Sequence, residues 1–136
     1  MNLRSRDAYR DAAWDWSCLD GCFGGRIRPT DIDGAVERRG HLLFLEAKSE
    51  DGLIPTGQEI LFKSLSRKPF VDVVVFFGKR EPELVVNRIE VFRAGKRHVV
   101  PSASLDRLRK MVSAWFQHAD TGAQGTFDWS AFLGIP

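Results

Sequence analysis

Glu46-Ala47-Lys48 closes an apolar run, His41-Leu42-Leu43-Phe44-Leu45, and Asp33 stands a short way upstream. A strand ending in Glu-x-Lys, set beside a strand carrying Asp, can gather two carboxylates and an ammonium on one small patch. Those groups are the minimal kit for metal-assisted cleavage of a phosphodiester. Two carboxylates directly opposed on neighbouring strands lie about 5 Å apart at Cβ and repel. A divalent cation removes the conflict, and Mg²⁺ favours one or two carboxylates with water and substrate phosphate completing its shell.

The elements that must position these groups follow from the turn between them. Residues 31–37 and 42–48 flank Arg38-Arg39-Gly40-His41, a polar turn signal between two strand-like runs. A two-residue turn at Arg39-Gly40 sets Arg38 opposite His41, Asp33 opposite Glu46 and Asp31 opposite Lys48. Period-two alternation then places Asp31, Asp33, Glu46 and Lys48 on one face, and Ile32, Val36, Leu43, Leu45 and Ala47 on the other. Taken alone, an exposed Glu-x-Lys on a half-buried strand makes only a surface ion pair. The matching aspartates and the helix that follows raise it above that reading.

That helix is expected after a loop at residues 51–55. Thr56-Gly57-Gln58-Glu59 reads as a capping box, with Thr56 as the cap and Glu59 reaching back. The helix should run to about Arg67, with Leu61, Phe62 and Leu65 inward, and Lys63, Ser64, Ser66, Arg67 and Lys68 outward. Gln58 shares the inward face. A polar amide there needs a partner: either loop backbone, or a role orienting a metal-bound water, Lys48 or a substrate phosphate.

Asp33, then Glu46-x-Lys48 at a strand end, then Gln58 early in a following helix, resembles the PD-(D/E)XK nuclease superfamily. More narrowly, Arg28-Pro29-Thr30-Asp31-Ile32-Asp33-Gly34 through Gly57-Gln58 resembles small nuclease-like proteins, many of them phage-encoded. The likeness covers roughly residues 14–78. It implies a restriction-endonuclease-like core, and a Mg²⁺ or Mn²⁺ ion held by Asp33, Glu46 and the backbone carbonyl of Ala47. It further implies that Lys48 positions or activates the attacking water and stabilises charge, and that Gln58 matches the helix glutamine of several branches. Asp33 follows Ile32 where the pattern has Pro, and Pro29 instead precedes Asp31; the hairpin register favours Asp33 as the ligand. Members often add an acid from the first helix, for which Asp15 and Asp20 are the candidates. The implied activity is hydrolysis of DNA. The alternatives are an RNA-processing enzyme with the same centre, and a binding or inhibitory protein that keeps the fold without catalysis.

The remainder of the chain is consistent with one domain over residues 1–136, long enough to bury a core. A content of 43% hydrophobic and 28% charged residues is that of an ordinary globular protein. A net charge of +2 and a pI near 8.7 permit nucleic-acid binding without demanding it. Arg28, before the first strand, and Arg38 and Arg39 at its turn are the candidate phosphate contacts, against the plainer reading of a solvated turn. No apolar run approaches a membrane span and the N-terminus has no signal-peptide pattern, so a cytoplasmic protein of a bacterial host or phage is expected. Cys18 and Cys22 lack a second Cys or His pair, which argues against zinc and for buried free thiols.

Residues 5–19 read as an amphipathic helix with Tyr9, Ala12, Ala13, Trp16 and Leu19 inward. Val71 to Gly78 reads as a strand covered on both faces, parallel to the Glu46 strand. Residues 83–93 and 97–100 suggest a hairpin across Ala94-Gly95. Residues 104–119 form a closing helix with Leu105, Leu108, Met111, Val112, Trp115 and Phe116 as its stripe. The aromatic tail (Phe127, Trp129, Phe132, Leu133) is expected to pack back on the domain, with a patch for a protein partner or a homodimer as the alternative. The sum is an α/β fold, bordering on α+β, with a mixed central sheet flanked by helices.

Overall fold

The structure is a computed structural model and describes residues 15–135. The chain divides into two compact units, residues 1–31 and residues 32–136.

In the first unit, Trp16–Leu19 form one 3₁₀ turn with no buried residue, capped by Asp15, whose carboxylate accepts from the Ser17 N–H. The expected amphipathic helix falls mainly on residues 5–14, outside the described residues; Trp16 and Leu19 lie in the short turn instead. Cys18 and Cys22 are free but exposed, against the expectation of buried thiols.

The second unit is built on a five-stranded mixed sheet in the order β1-β2-β3-β4-β5. Strand β1 is Gly34–Arg38 and β2 is His41–Ser49. Helix α1, Thr56–Ser66, leads into β3, Val71–Lys79, which runs parallel to β2. Strands β4, Val85–Arg93, and β5, Lys96–Val99, complete the sheet antiparallel. Helix α2, Leu105–Asp120, and the short α3, Ser130–Leu133, follow. The expected α/β to α+β class, with helices flanking a mixed sheet, is the one found.

The β1–β2 and β4–β5 hairpins each turn on two residues with positive φ, Arg39 and Gly40 at 49° and 85°, Ala94 and Gly95 at 50° and 80°. Such turns twist with the strands and fix register. Arg38 accordingly pairs with His41, and Gly34 with Leu45.

The sheet is covered on both sides, and period two assigns each side chain to one. The α1 side holds Phe62, Val73, Val75, Phe77 and Phe92, with Phe44, Leu61 and Leu65 packed against them. The α2 side holds Leu43, Val74, Val86, Ile89, Val91, Met111, Trp115, Trp129 and Leu133. The aromatic tail therefore packs back: Trp129 is fully buried and Phe127 and Phe132 are partly so. Phe116 departs from the expected stripe. It is exposed, with the Arg38 guanidinium 5.8 Å over its ring.

Strand β4 carries one irregularity. Phe77 pairs with Arg88 and Gly78 with Val86, so Asn87 is an extra residue in the ladder. Gly78 is required there, because a Cβ would stand 1.9 Å from the Val85 carbonyl oxygen.

Helix α1 starts without the expected capping box. Pro55 is the N-cap, and the Glu59 N–H bonds back to its carbonyl at 2.9 Å. Thr56 thus sits inside the first turn, and the Glu59 carboxylate turns to Lys63 (3.3 Å) and Arg97 (3.7 Å). Ser66, expected outward, is buried. Its hydroxyl accepts from the Gly95 N–H at 2.9 Å and donates to the Lys63 carbonyl, so the β4–β5 turn closes over it.

Candidate functional site

The two-residue turn brings Asp33 to the residue just beyond the last β1–β2 pair, beside Glu46. There the ladder is continued by side chains. The Asp33 N–H donates to Glu46 Oε2 at 3.2 Å, and the Ala47 N–H donates to Asp33 Oδ2 at 2.9 Å. The two acids are interlocked through each other's neighbourhood, as the register expected.

Glu46 points to the α1 side of the sheet and is 5% exposed. The first turn of α1 lays Gln58 against it, with Gln58 Nε2 donating to Glu46 Oε1 at 3.2 Å. Lys48, two residues on and on the same face, brings Nζ to 3.5 Å from the same oxygen. Burial pushes the Glu46 carboxyl above its ordinary pKa, and the Asp33 charge adds to the push. The Asp33 N–H, the Gln58 amide and the Lys48 ammonium oppose it without cancelling it. Gln58 Oε1 is buried with no hydrogen-bond partner. An orphaned acceptor beside the buried Glu46 carboxylate is an arrangement short of donors.

Among the described residues, no group of three or more His, Cys, Asp or Glu side chains is gathered for a metal. The available set is two carboxylates and main-chain oxygen, hard donors that fit Mg²⁺ or Mn²⁺ with water and substrate completing the shell. The raised Glu46 and the unpaired Gln58 oxygen are consistent with that fit.

The other expected contributors are placed elsewhere or held by local partners. Asp31 lies before β1, in the first unit, where its carboxylate accepts from the Trp16 indole at 2.8 Å. The strand begins at Gly34 and does not extend to the cross-strand position assumed for Asp31. Arg28 makes a two-pronged bond to Asp20, at 2.7 and 2.6 Å. Asp15 is engaged in its own turn. Arg38 binds Asp120 at 2.6 Å, with Arg39 at 3.8 Å from the same carboxylate. Both arginines stand at the turn end of the hairpin, about 17 Å along the strand from Glu46 at 3.3 Å per residue.

Two buried acids escaped the sequence reading. Asp72, 2% exposed, accepts from the Trp129 indole at 2.7 Å and the Trp115 indole at 3.1 Å. Burial raises its pKa. The two indoles, then the nearby His41 and His118, pull it down by less. Glu90 is also buried. Arg97 grips it through Nε and, at 3.0 Å, through its second amino group, while Arg88 Nε lies at 3.1 Å. Burial acts to raise Glu90, but the two arginines outweigh it and hold the carboxyl below its ordinary range. The available signal was a single acid inside each β-branched or apolar run, Val-Asp-Val-Val-Val and Ile-Glu-Val-Phe.

No protein-family model, no curated protein and no solved structure matches the chain. No helix among the described residues is long and apolar enough to cross a membrane.

Proposed function

We propose that this protein is a metal-dependent nuclease of the PD-(D/E)XK type, with a restriction-endonuclease-like core, that hydrolyses phosphodiester bonds in DNA. The observation carrying the reading is the interlock of Asp33 with Glu46, with Gln58 and Lys48 both on the Glu46 carboxylate. Asp33 and Glu46, with the Ala47 carbonyl, would hold a Mg²⁺ or Mn²⁺ ion. When bound, the ion supplies Lewis-acid polarisation of the phosphate and a water made more acidic. Lys48 then turns from Glu46 toward the reacting phosphate, where its ammonium offsets developing negative charge. Gln58 holds Glu46 in place through its amide nitrogen and offers its unpaired oxygen to a water proton.

The test is nicking of supercoiled plasmid in Mg²⁺ or Mn²⁺, with an RNA of matching sequence alongside. D33A, E46A and K48A should each abolish cleavage while circular dichroism shows the fold intact. Cleavage retained in all three overturns the proposal. Cutting of RNA alone would reassign the substrate.

One observation favours a second reading, a binding or inhibitory protein with this fold. Asp33 and Glu46 each accept a main-chain N–H from the other's strand, which locks the hairpin without any ion. That reading predicts neither metal stabilisation nor nicking of any DNA form.

A further inference from the structure

Row by row across the sheet, the α1 side repeats one arrangement on either side of β3. Glu46 pairs with Val75, and Val75 with Glu90; Lys48 pairs with Phe77, and Phe77 with Arg88. Directly paired residues share a face, so these six side chains lie on one side in two adjacent rows. One row is acid, apolar, acid. The next, nearer the C-terminal ends of β2 and β3, is base, aromatic, base. Lys48 and Arg88 are therefore two strand spacings apart, about 10 Å at Cα.

Arg88 is held as a presented group. Its Nε is fixed on the buried Glu90 at 3.1 Å, its guanidinium carbon stands 5.6 Å over the Phe77 ring, and half of its side chain is exposed. Glu90 also takes Arg97, which reaches Glu59 in turn, and Glu59 holds Lys63; three cations against two carboxylates leave the connected cluster with a net positive charge. With Nε committed, the terminal amino groups remain for a ligand. A pre-oriented planar fork bearing net charge suits a phosphate diester better than a flexible ammonium does.

We propose that Arg88 is a phosphate-binding residue for the polynucleotide backbone. It holds a phosphate neighbouring the one presented to Asp33, Glu46 and Lys48, with Glu90 and Phe77 as its mount. This rests on the nuclease reading of that site and extends it to the path of the strand, from the Lys48 side of β3 to the Arg88 side. The contact is to phosphate and so is indifferent to sequence.

The experiment measures binding of a fluorescein-labelled DNA oligonucleotide in an E46Q background, where cleavage is suppressed, together with cleavage kinetics in the otherwise wild-type protein. Arg88→Ala should weaken binding about tenfold, the scale of one charge-assisted bond. It should raise KM with little change in kcat, and lower the slope of log affinity against log salt by about one. Arg88→Lys, which keeps charge but loses the fork, should fall between. Lys110→Ala, on α2 across the sheet, removes an exposed charge from the opposite side and should change nothing. Thermal melting of each variant separates lost binding from lost folding. If the wild-type protein cuts DNA and Arg88→Ala leaves affinity, KM and salt slope unchanged, the Arg88 assignment is overturned while the nuclease reading stands. If wild type neither binds nor cuts DNA or RNA in Mg²⁺ or Mn²⁺, both fall.

Discussion

Trp129→Phe tests whether the buried Asp72 carboxylate organises the α2 side of the sheet. Each Asp72 oxygen has one indole donor, Trp129 on Oδ1 at 2.7 Å and Trp115 on Oδ2 at 3.1 Å. Phenylalanine removes the donor to Oδ1 and leaves a buried anionic oxygen without it. A hydrogen bond to a charged group contributes about 1.5–3 kcal/mol. The indole exceeds a phenyl ring by roughly 40 Å³, which at the usual cavity coefficient adds about 1 kcal/mol. The expected loss is therefore about 3 kcal/mol, a fall in Tm of about 12 °C for a unit of this size. Trp115→Phe, with the longer bond, should cost less.

The effect should also depend on pH with a definite sign. The Asp72 carboxyl is raised by burial, so the folded protein holds this proton more tightly than the unfolded chain. Its ionised form costs stability as pH rises through the raised value, and acidification relieves that cost. Removing the Trp129 donor makes the ionised form costlier still. The gap between variant and wild type should accordingly be widest at neutral and higher pH and narrow on acidification. Urea titrations followed by circular dichroism at several pH values measure this. A loss of only about 1 kcal/mol, the packing share alone, at every pH would refute the reasoning.

Two further predictions concern the site and its surroundings. Mn²⁺ at ten times its Kd should stabilise the wild-type protein by about 1.4 kcal/mol, seen as a rise in Tm that D33A and E46A abolish. The rise should shrink as pH falls, because the raised Glu46 carboxyl then keeps its proton in competition with the ion; a shift that grows on acidification would count against Glu46 as ligand. Arg38→Ala removes an exposed pair with Asp120 and should change stability by less than about 1 kcal/mol. It should leave oligonucleotide affinity unaltered, and a tenfold loss would return the turn arginines to the binding surface.

The hairpin was legible in the sequence because every determinant is local. A two-residue turn, period-two alternation and one apolar run fix the register, and with it the meeting of Asp33 and Glu46. Gln58 was legible for the same reason, since helical period alone puts it with Leu61 and Phe62. The capping box was misread because a threonine serves only if it is the cap residue, and Pro55 took that place. Ser66 was misplaced because the turn that buries it is formed by Gly95, a contact that helical period does not contain. Asp72 and Glu90 were invisible on similar grounds. An acid in an apolar strand reads as an interruption until the donors that satisfy it, Trp129 or Arg97, are known to arrive there from other elements.

The extra residue in β4 gives that strand two parities. Arg88, Glu90 and Phe92 alternate onto the α1 side, yet Val86, at the same parity in sequence, belongs to the α2-side core. Asn87, in the bulge, performs the switch. Drawing Asn87 into the ladder as an ordinary strand residue would act on the sheet as a frameshift acts on a message: every side chain on one side of it would be read onto the wrong face. Either Val86 would leave the hydrophobic interior or Arg88 would enter it. Deleting Asn87 would instead leave the Phe77–Arg88 and Gly78–Val86 pairs consecutive, with Val86 and Arg88 still on opposite faces, so what the bulge must do here is stay out of the ladder.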